Sequence, residues 1–380
     1  MGAVVVVGGG VVGSAVTSAL ARGGTATLLL EAEDGLALGA SGTNSGILHT
    51  GFDSTPGELE TRLILRAARL RAAMPEELGV EVLRCGATLT PRDAGEREAA
   101  AALAANARRN GVEAALGADG SLRVPGESVT DPVAFVHALA ADACRHGARV
   151  RTGARVEAIT SRDGGIVVVV SGGEEVRAAA LINCAGLFAD EVAALAGDAL
   201  PAIYPRKGEF LVFEPPAGER LEGILLPLPS PAGKGVLVFP TLDGHVVAGP
   251  TAREREDKRD WSVEGDAEEL IFDRARWMWP PLERARRIGA YAGLRPAGRG
   301  ANYVIERSRT MPGVVHVAAI RSTGLSASLA IGEHVAAMVR GLGVALPRTD
   351  GVARDLPSDD GAGGRWWERA ARLRGGSEDA

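Results

Sequence analysis

The chain has 380 residues, of which 46% are hydrophobic and 24% are charged. These fractions are typical of a globular protein with more than one domain, and they exclude wholesale disorder. The formal net charge of -6 argues against a broadly basic surface for nucleic acid, so we expect any anionic ligand to be held by a local group of cations. Three widely spaced cysteines argue against a disulfide framework or a metal cluster, and the simplest expected location is the reducing cytoplasm.

The N-terminal residues predict a strand, a glycine turn, a helix and a second strand. Residues 4–7 form a valine run, as expected of a parallel strand that is buried on both faces. A helix of small residues follows at 11–22, and residues 25–30 form the second strand. Glycines interrupt the apolar start and no basic region precedes it, so we expect neither a signal peptide nor a transmembrane segment.

The glycine turn between this strand and helix has the spacing of a dinucleotide-binding fingerprint. Gly8 allows the tight turn, Gly10 lets a pyrophosphate approach the backbone, and Gly13 lets the helix pack closely on the strand. Glu31, at the end of the second strand, is placed to accept hydrogen bonds from a ribose diol. The same site is expected to include Val11, Val12 and Ala32.

A polar, glycine-rich loop follows, and residues 39–57 read GASGTNSGILHTGFDSTPG. Its pattern of Asn44, Ser45, Gly46 and His49, with Pro-Gly after it, resembles FAD-dependent oxidoreductases of the D-amino-acid oxidase superfamily. The resemblance is greatest to the branch of L-2-hydroxyglutarate dehydrogenases/oxidases and glycerol-3-phosphate-dehydrogenase-like proteins. It implies non-covalently bound FAD. The loop residues expected to contact FAD are Ser41, Thr43, Asn44, Ser45 and Gly46.

Three later blocks strengthen this resemblance. In the first, Asp131 is predicted to cap a helix that leads to a strand ending near Val156, a position similar to one whose backbone meets the adenine. The second, LINCAGLFAD, is similar to the family's second dinucleotide contact, at Ala185 and Gly186. The third predicts a helix beginning at Gly324, Leu325 and Ser326. Its N–H groups would face the flavin's pyrimidine edge; the alternative is an ordinary helix start.

The predicted fold class is α/β, with a Rossmann-like FAD-binding domain and a second, mainly antiparallel-sheet substrate domain. The FAD-binding domain is expected to be discontinuous, over residues 1–84, 131–200 and 290–345. Residues 85–130 and 201–289 form the substrate domain, because short apolar runs alternate with turns there. The charged run 253–260 is interpreted as a solvated loop. Residues 346–380 are expected to be a tail, either frayed or pinned to the body through Trp366 and Trp367.

Substrate chemistry is expected between these domains, and four side chains are candidates for it. His49 is the candidate base that removes the substrate hydroxyl proton, and the alternative is a structural histidine that holds the loop. Arg295 is the candidate residue for binding a carboxylate or phosphate, since related enzymes carry a substrate-binding arginine in a stretch similar to AYAGLRP; the alternative is a surface arginine before Pro296. Lys207 and Arg321 are further candidate substrate cations, with surface exposure and a salt bridge as their respective alternatives.

These residues predict an FAD-dependent enzyme that oxidises a CH–OH group of a small anionic substrate by hydride transfer to flavin N5. Thr43 stands where L-2-hydroxyglutarate enzymes have a histidine, which leaves a 2-hydroxy acid and a glycerol-3-phosphate-like compound both open. Two other functions stay open: an amine or amino-acid oxidase of the same fold, and a redox-silent flavin-binding module. The sequence leaves the electron acceptor open among dioxygen, a quinone and a partner protein.

Overall fold

The computed structural model describes residues 2–228, 235–356 and 365–373. The helices of these residues are α1 (Val11–Arg22), α2 (Leu59–Leu70), α3 (Met74–Leu78), α4 (Ala94–Arg109), α5 (Pro132–Arg145), α6 (Ala189–Leu195), α7 (Ala267–Met278), α8 (Gly324–Arg340) and α9 (Trp366–Leu373). Short 3₁₀ turns lie at Arg71–Ala73, Gly186–Phe188 and Pro280–Arg284.

The strands of the same residues, in chain order, are β1 (Ala3–Val7), β2 (Thr27–Leu30), β3 (Ile47–Leu48), β4 (Val82–Leu83), β5 (Ala87–Leu89), β6 (Ala115–Leu116), β7 (Leu122–Val124), β8 (Ser128–Thr130), β9 (Arg149–Arg151), β10 (Val156–Arg162), β11 (Gly165–Val170), β12 (Glu174–Asn183), β13 (Ile203–Glu214), β14 (Ile224–Leu225), β15 (Leu237–Pro240), β16 (Val246–Gly249), β17 (Arg253–Glu254), β18 (Arg286–Gly298), β19 (Val304–Arg307) and β20 (Val314–Ala318).

The first sheet has the predicted Rossmann-like core. Strands β20, β12, β1, β2 and β9 run parallel, and antiparallel strands β10, β11 and β19 complete it. Helices α1, α5 and α8 pack together against it. The close contact of α1 with α8 requires glycine at Gly332, because a Cβ there would lie 2.6 Å from the carbonyl oxygen of Ala15. Asp131 caps α5 as predicted, accepting N–H bonds from Val133 and Ala134 at 2.7 and 2.9 Å.

The second sheet is mainly antiparallel, which agrees with the predicted substrate domain. Its long strands β13 and β18 pair along almost their whole length, and β16, β15 and β14 extend the sheet toward β5, β7 and β6. Strand β18 continues to Gly298, past the predicted boundary at residue 290, because it stays paired to β13 throughout. Helix α7 covers part of this sheet through Ile271 and Ala275.

One predicted segment differs from the structure, and one open alternative is decided by it. Val156 begins strand β10 rather than ending a strand, because residues 156–162 pair as a hairpin with β11. Trp366 and Trp367 are buried, with exposed fractions of 5% and 4%, and α9 packs on β18. Of the two alternatives for this segment, the structure therefore shows the helix held against the body. No helix in the described ranges is long and apolar enough to cross a bilayer.

Candidate functional site

A cavity of about 490 Å³ opens at the carboxyl ends of β1, β2 and β12 and extends toward the second sheet. This volume lies within the range of small-molecule and cofactor sites. The predicted site residues that line it are Gly8, Gly10, Val11, Val12, Glu31, Ala32, Ser41, Asn44, Val156, Ala185, Gly186, Arg295, Arg321, Gly324 and Leu325. The structure therefore brings together residues that are distant along the chain.

One end of the cavity is built from the glycine turn. Gly8 has a φ of +108°, which favours glycine, and a Cβ at Gly13 would lie only 1.9 Å from the carbonyl oxygen of Gly8. Gly13 therefore does not line the cavity but lets α1 approach the turn. The N-cap of α1 carries no side-chain bond, so the first turn presents N–H groups to an anion. Ser41 supports this turn by accepting the N–H of Val11 at 2.9 Å.

Glu31 lies beside the same turn, at the end of β2. Its carboxylate accepts the N–H groups of Gly9 at 2.5 Å and Glu33 at 2.9 Å. Burial raises the pKa of Glu31, while these two backbone bonds oppose the rise. The carboxylate is thus fixed at the cavity wall where a ribose diol is expected.

The start of α8 forms another part of the cavity wall, close to Val12 in the first turn of α1. Thr323, its N-cap, gives no side-chain bond to the helix; its hydroxyl instead donates to Glu60 at 2.6 Å. Arg321 lies 3.5 Å from the same carboxylate, and Asn44 donates to the carbonyl of Ser322 at 3.2 Å. The glycine-rich loop and α2 therefore hold this helix start from two sides.

Arg295 lies on β18 at the seam between the sheets. Its Nε and Nη2 donate to the carbonyls of Arg206, Lys207 and Thr251, each at 2.9 Å. The guanidinium lies over Gly208, where a Cβ would be 2.6 Å from Nη2. Burial, helped by the charges of Arg206 and Arg321, lowers the pKa of Arg295 to about 10.

Arg206 was not predicted from the sequence. It lies directly opposite Arg295 in the β13–β18 pairing, and its Nε is buried without a hydrogen-bond partner. The charges of Arg206, which does not line the cavity, and of Arg321, which pairs with Glu60, both act on Arg295. Among the described residues, Arg295 itself has no carboxylate within ion-pair distance. The positive charge beside Arg295 therefore favours binding of an anion in this part of the cavity.

His49 follows β3 and lies behind the start of α8 rather than in the cavity lining. Its backbone N–H donates to Ser326 Oγ at 2.8 Å, and its carbonyl accepts from Arg71 at 2.7 Å. Its ring Nδ1 lies 2.8 Å from Glu127 Oε2, and the side chain is 22% exposed. Glu127 is fully buried and was not predicted from the sequence.

The remaining predicted loop residues support the cavity from outside its lining. Thr43 packs against β18, since a Cβ at Gly293 would lie 2.8 Å from the Thr43 carbonyl oxygen. Ser45 Oγ accepts the N–H of Ile47 at 3.4 Å. Gly46 pairs with Thr130, and Ser326 anchors His49. These residues shape the loop, and FAD contact by them stays a prediction.

Lys207 requires a correction. Its side chain is fully buried, outside the cavity lining, and its ammonium group donates to Asp260 at 2.9 Å and Ser262 at 3.1 Å. It lies on the opposite face of β13 from Arg206, as alternation along a strand requires. Lys207 therefore holds the segment 255–266, which we call the bridging segment, instead of facing a substrate.

Residues 253–260 are partly or fully exposed, as interpreted, but this charged run also contacts the first sheet's domain. Lys258 donates to Asp190 at 2.8 Å and Glu191 at 2.9 Å, both on α6 of the first sheet's domain. Lys258 and Arg259 also lie over the ring of Phe188, at 5.6 and 5.2 Å. The cavity residues from this segment are Lys258, Arg259 and Trp261. Part of this charged segment therefore forms one wall of the site.

The site as a whole suits FAD. The glycine turn and α1 provide N–H groups for a pyrophosphate, and Glu31 provides a ribose acceptor. Gly186 lines the cavity, and a Cβ there would meet nothing within 4 Å, so no protein atom fills the space beside it. The start of α8 supplies a partial positive charge at the cavity wall, which suits a ring that gains negative charge on reduction.

Comparisons with known proteins agree with this geometry. The family model described as DAO, FAD dependent oxidoreductase, matches residues 3–338. A glycerol 3-phosphate dehydrogenase of Caloramator mitchellensis is 28% identical over 348 residues, covering 87% of this chain and 72% of the relative. An L-2-hydroxyglutarate dehydrogenase of Escherichia coli K12 is 29% identical over 289 residues, covering 70% and 68%. The FAD-bound structure of L-alpha-glycerophosphate oxidase from Mycoplasma pneumoniae superposes with a TM-score of 0.82 at 25% identity, covering 94% of this chain and 99% of that one.

Proposed function

We propose that this chain, which belongs to the DAO family of FAD-dependent oxidoreductases, oxidises a CH–OH group of a small anionic substrate. The substrates we favour are a 2-hydroxy acid such as 2-hydroxyglutarate and a hydroxy phosphate such as glycerol 3-phosphate. The names of similar proteins include enzymes of both compounds, which supports this class. FAD, when bound, supplies the hydride acceptor.

The main support for the proposal is the incomplete hydrogen bonding of the Arg295 guanidinium. Three of its five N–H donors are bound to backbone carbonyls, and both donors of Nη1 have no partner among the described residues. The group lines the cavity, and two more guanidinium groups, Arg206 and Arg321, act on it. An anionic substrate would supply the missing acceptor, and a guanidinium edge suits a carboxylate or a phosphate.

His49 is the proposed base. Oxidation of an alcohol requires removal of the hydroxyl proton, and an imidazole accepts protons near neutral pH. Its Nδ1 is occupied by Glu127, so Nε2 is the atom that would take the proton. Its backbone is tied to Ser326, whose helix lines the cavity at Gly324 and Leu325. This anchoring would hold the ring at a fixed place relative to the substrate.

An anaerobic titration tests the reaction class. Purified protein with bound FAD is mixed with glycerol 3-phosphate, L-2-hydroxyglutarate, glycine or sarcosine, and the visible flavin absorbance is followed. We expect at least one of the two hydroxy compounds to bleach the flavin and the two amines to leave it oxidised. Bleaching by the amines alone would support an amine oxidase instead. A flavin that no substrate in a broad panel reduces would support a redox-silent binding module.

Variants then test the assigned roles. We expect Arg295→Ala to raise KM by at least about tenfold for the substrate that bleaches the flavin. The reason is the loss of charged hydrogen bonds from Arg295 to the substrate anion, which contribute about 1.5–3 kcal/mol. His49→Ala should slow flavin reduction far more than it weakens FAD binding. Arg299→Ala is the matched control, since Arg299 is half-exposed and pairs with Glu256 away from the cavity. Unchanged KM in Arg295→Ala, or weakened FAD binding without slower reduction in His49→Ala, would contradict these roles.

A further inference from the structure

We infer that Glu127 is the positioning residue of His49, a buried carboxylate that fixes the ring tautomer so that Nε2 is free to take a proton. This inference rests on the proposed function for its catalytic meaning. The pairing of the two side chains rests on geometry alone.

Strand pairing places these two residues opposite each other. In the third sheet, β3 and β8 are antiparallel, with Ile47 opposite Val129 and Leu48 opposite Ser128. Continuing this register by one residue brings His49 opposite Glu127. The contact of 2.8 Å between Nδ1 and Oε2 is therefore set by backbone pairing and not by a chance rotamer.

The carboxylate itself is held rigidly. Its Oε1 accepts both the backbone N–H of Thr50 at 2.7 Å and the Thr50 hydroxyl at 2.8 Å. The side chain is fully buried, and Arg71, whose Nη2 donates to the His49 carbonyl, interacts with it electrostatically. A buried carboxylate with these partners is saturated at Oε1, and only Oε2 faces the imidazole.

These contacts determine where the ring proton lies. An ionised carboxylate only accepts hydrogen bonds, so Nδ1 must donate and Nε2 must be the unprotonated nitrogen. A neutral imidazole in this tautomer can accept a proton at Nε2 and then carry a positive charge that Glu127 stabilises. The arrangement follows the general logic of a base oriented by a carboxylate.

The substitution Glu127→Gln inverts this arrangement with almost no change in volume. The N–H of Thr50 requires an acceptor at the Oε1 position, so the amide NH₂ must take the Oε2 position and face Nδ1. The amide then donates to Nδ1 and the ring proton moves to Nε2. A neutral ring with its proton already at Nε2 is unable to accept the substrate proton at that nitrogen.

The test combines nitrogen NMR of the FAD-loaded protein with kinetics. The His49 ring signals are assigned by their loss in His49→Gln, and we expect Nδ1–H in the native protein and Nε2–H in Glu127→Gln. The kinetics use the compound, glycerol 3-phosphate or L-2-hydroxyglutarate, that bleaches the flavin of the native protein. For Glu127→Gln we expect kcat to fall about 10³- to 10⁴-fold and KM to change little, as for a base in the wrong tautomer. Glu127→Asp keeps an acceptor-only group, so it should retain Nδ1–H and recover part of kcat.

Glu209→Gln is the matched control, because Glu209 is also a fully buried carboxylate but bonds Thr251 and Arg253 instead of a histidine. It should leave the His49 signals unchanged. An unchanged tautomer in Glu127→Gln, an Nε2–H tautomer in Glu127→Asp, or a kcat within about threefold of native in Glu127→Gln would overturn the inference. Full activity of His49→Ala would instead overturn the proposed function, while the tautomer measurement would still decide the pairing.

Discussion

The wall of the cavity formed by β20 is fixed by a buried carboxylate, and this gives a testable dependence of stability on pH. Asp198 lies after α6, is 8% exposed, and accepts hydrogen bonds from Ser308 Oγ, from His316 Nε2 at 2.9 Å and from the N–H of Arg309 at 3.0 Å. Burial acts to raise the pKa of Asp198, but these hydrogen bonds outweigh it and lower the pKa from 3.8 to about 2.

The difference between these two pKa values corresponds to about 2 kcal/mol of stability at neutral pH. Because the folded-state pKa is lowered, this contribution is present above the unfolded value near pH 4 and is lost as the pH falls toward 2. About half of it is gone by pH 3. We therefore expect Asp198→Asn to be about 2 kcal/mol less stable than the native protein at pH 7, with a gap that narrows on acidification.

The assay is urea unfolding at pH values from 7 to 3, with FAD at a saturating concentration so that its contribution to stability stays constant. Asp163→Asn is the control, because Asp163 is exposed in the turn between β10 and β11. We expect this variant to follow the native curve within about 0.5 kcal/mol. The reasoning would be refuted if the free energies of unfolding of the native protein and Asp198→Asn differed by the same amount at pH 7 and at pH 3. It would also be refuted if the two proteins were equally stable at pH 7.

Two further predictions concern the cofactor. Gly13→Ala should lower the free energy of unfolding by about 1–3 kcal/mol and reduce the amount of FAD retained on purification, because its Cβ would lie 1.9 Å from the Gly8 carbonyl oxygen. Gly265→Ala is the control in both measurements, because a Cβ there would meet nothing within 4 Å. Lys258→Met should speed FAD release about fivefold, measured by the rise of flavin fluorescence on dilution, because a partly buried ion pair of about 1 kcal/mol to α6 is lost from the bridging segment. Arg220→Met, at an exposed ion pair, should release FAD at the native rate, and equal rates for Lys258→Met would exclude a role of this contact in retention.

The predictions from sequence succeeded where the signal is local. Helix α1 spans residues 11–22 as predicted, the Asp131 cap forms, and α8 begins at Gly324, since glycine turns, caps and apolar periodicity act within a few neighbouring residues. The glycine spacing also placed one end of the cavity correctly. The glycine-rich loop at residues 39–57, together with three later blocks, identified the family, whose model matches residues 3–338.

Apart from Val156, which pairs in a local hairpin, the failures share one physical cause, which is pairing between distant segments. Glu127 faces His49 only because β3 and β8 pair in one register, and nothing near Glu127 in the sequence indicates it. Lys207 is buried because Asp260, 53 residues later, neutralises it. The charged run that contains Lys258 resembles a solvated loop until its partners on α6 are known.

The close packing of α8 on α1 has a consequence for how the protein acquires its cofactor. The parallel core takes its strands from residues 3–30, 149–183 and 314–318, and the helix that closes it spans Gly324–Arg340. A nascent chain emerging from the ribosome therefore carries the first half of the nucleotide cradle long before the second half is translated. Stable loading of flavin is therefore expected only after α8 has been synthesised, and a premature stop codon before residue 324 would leave the apolar face of α1 without its cover.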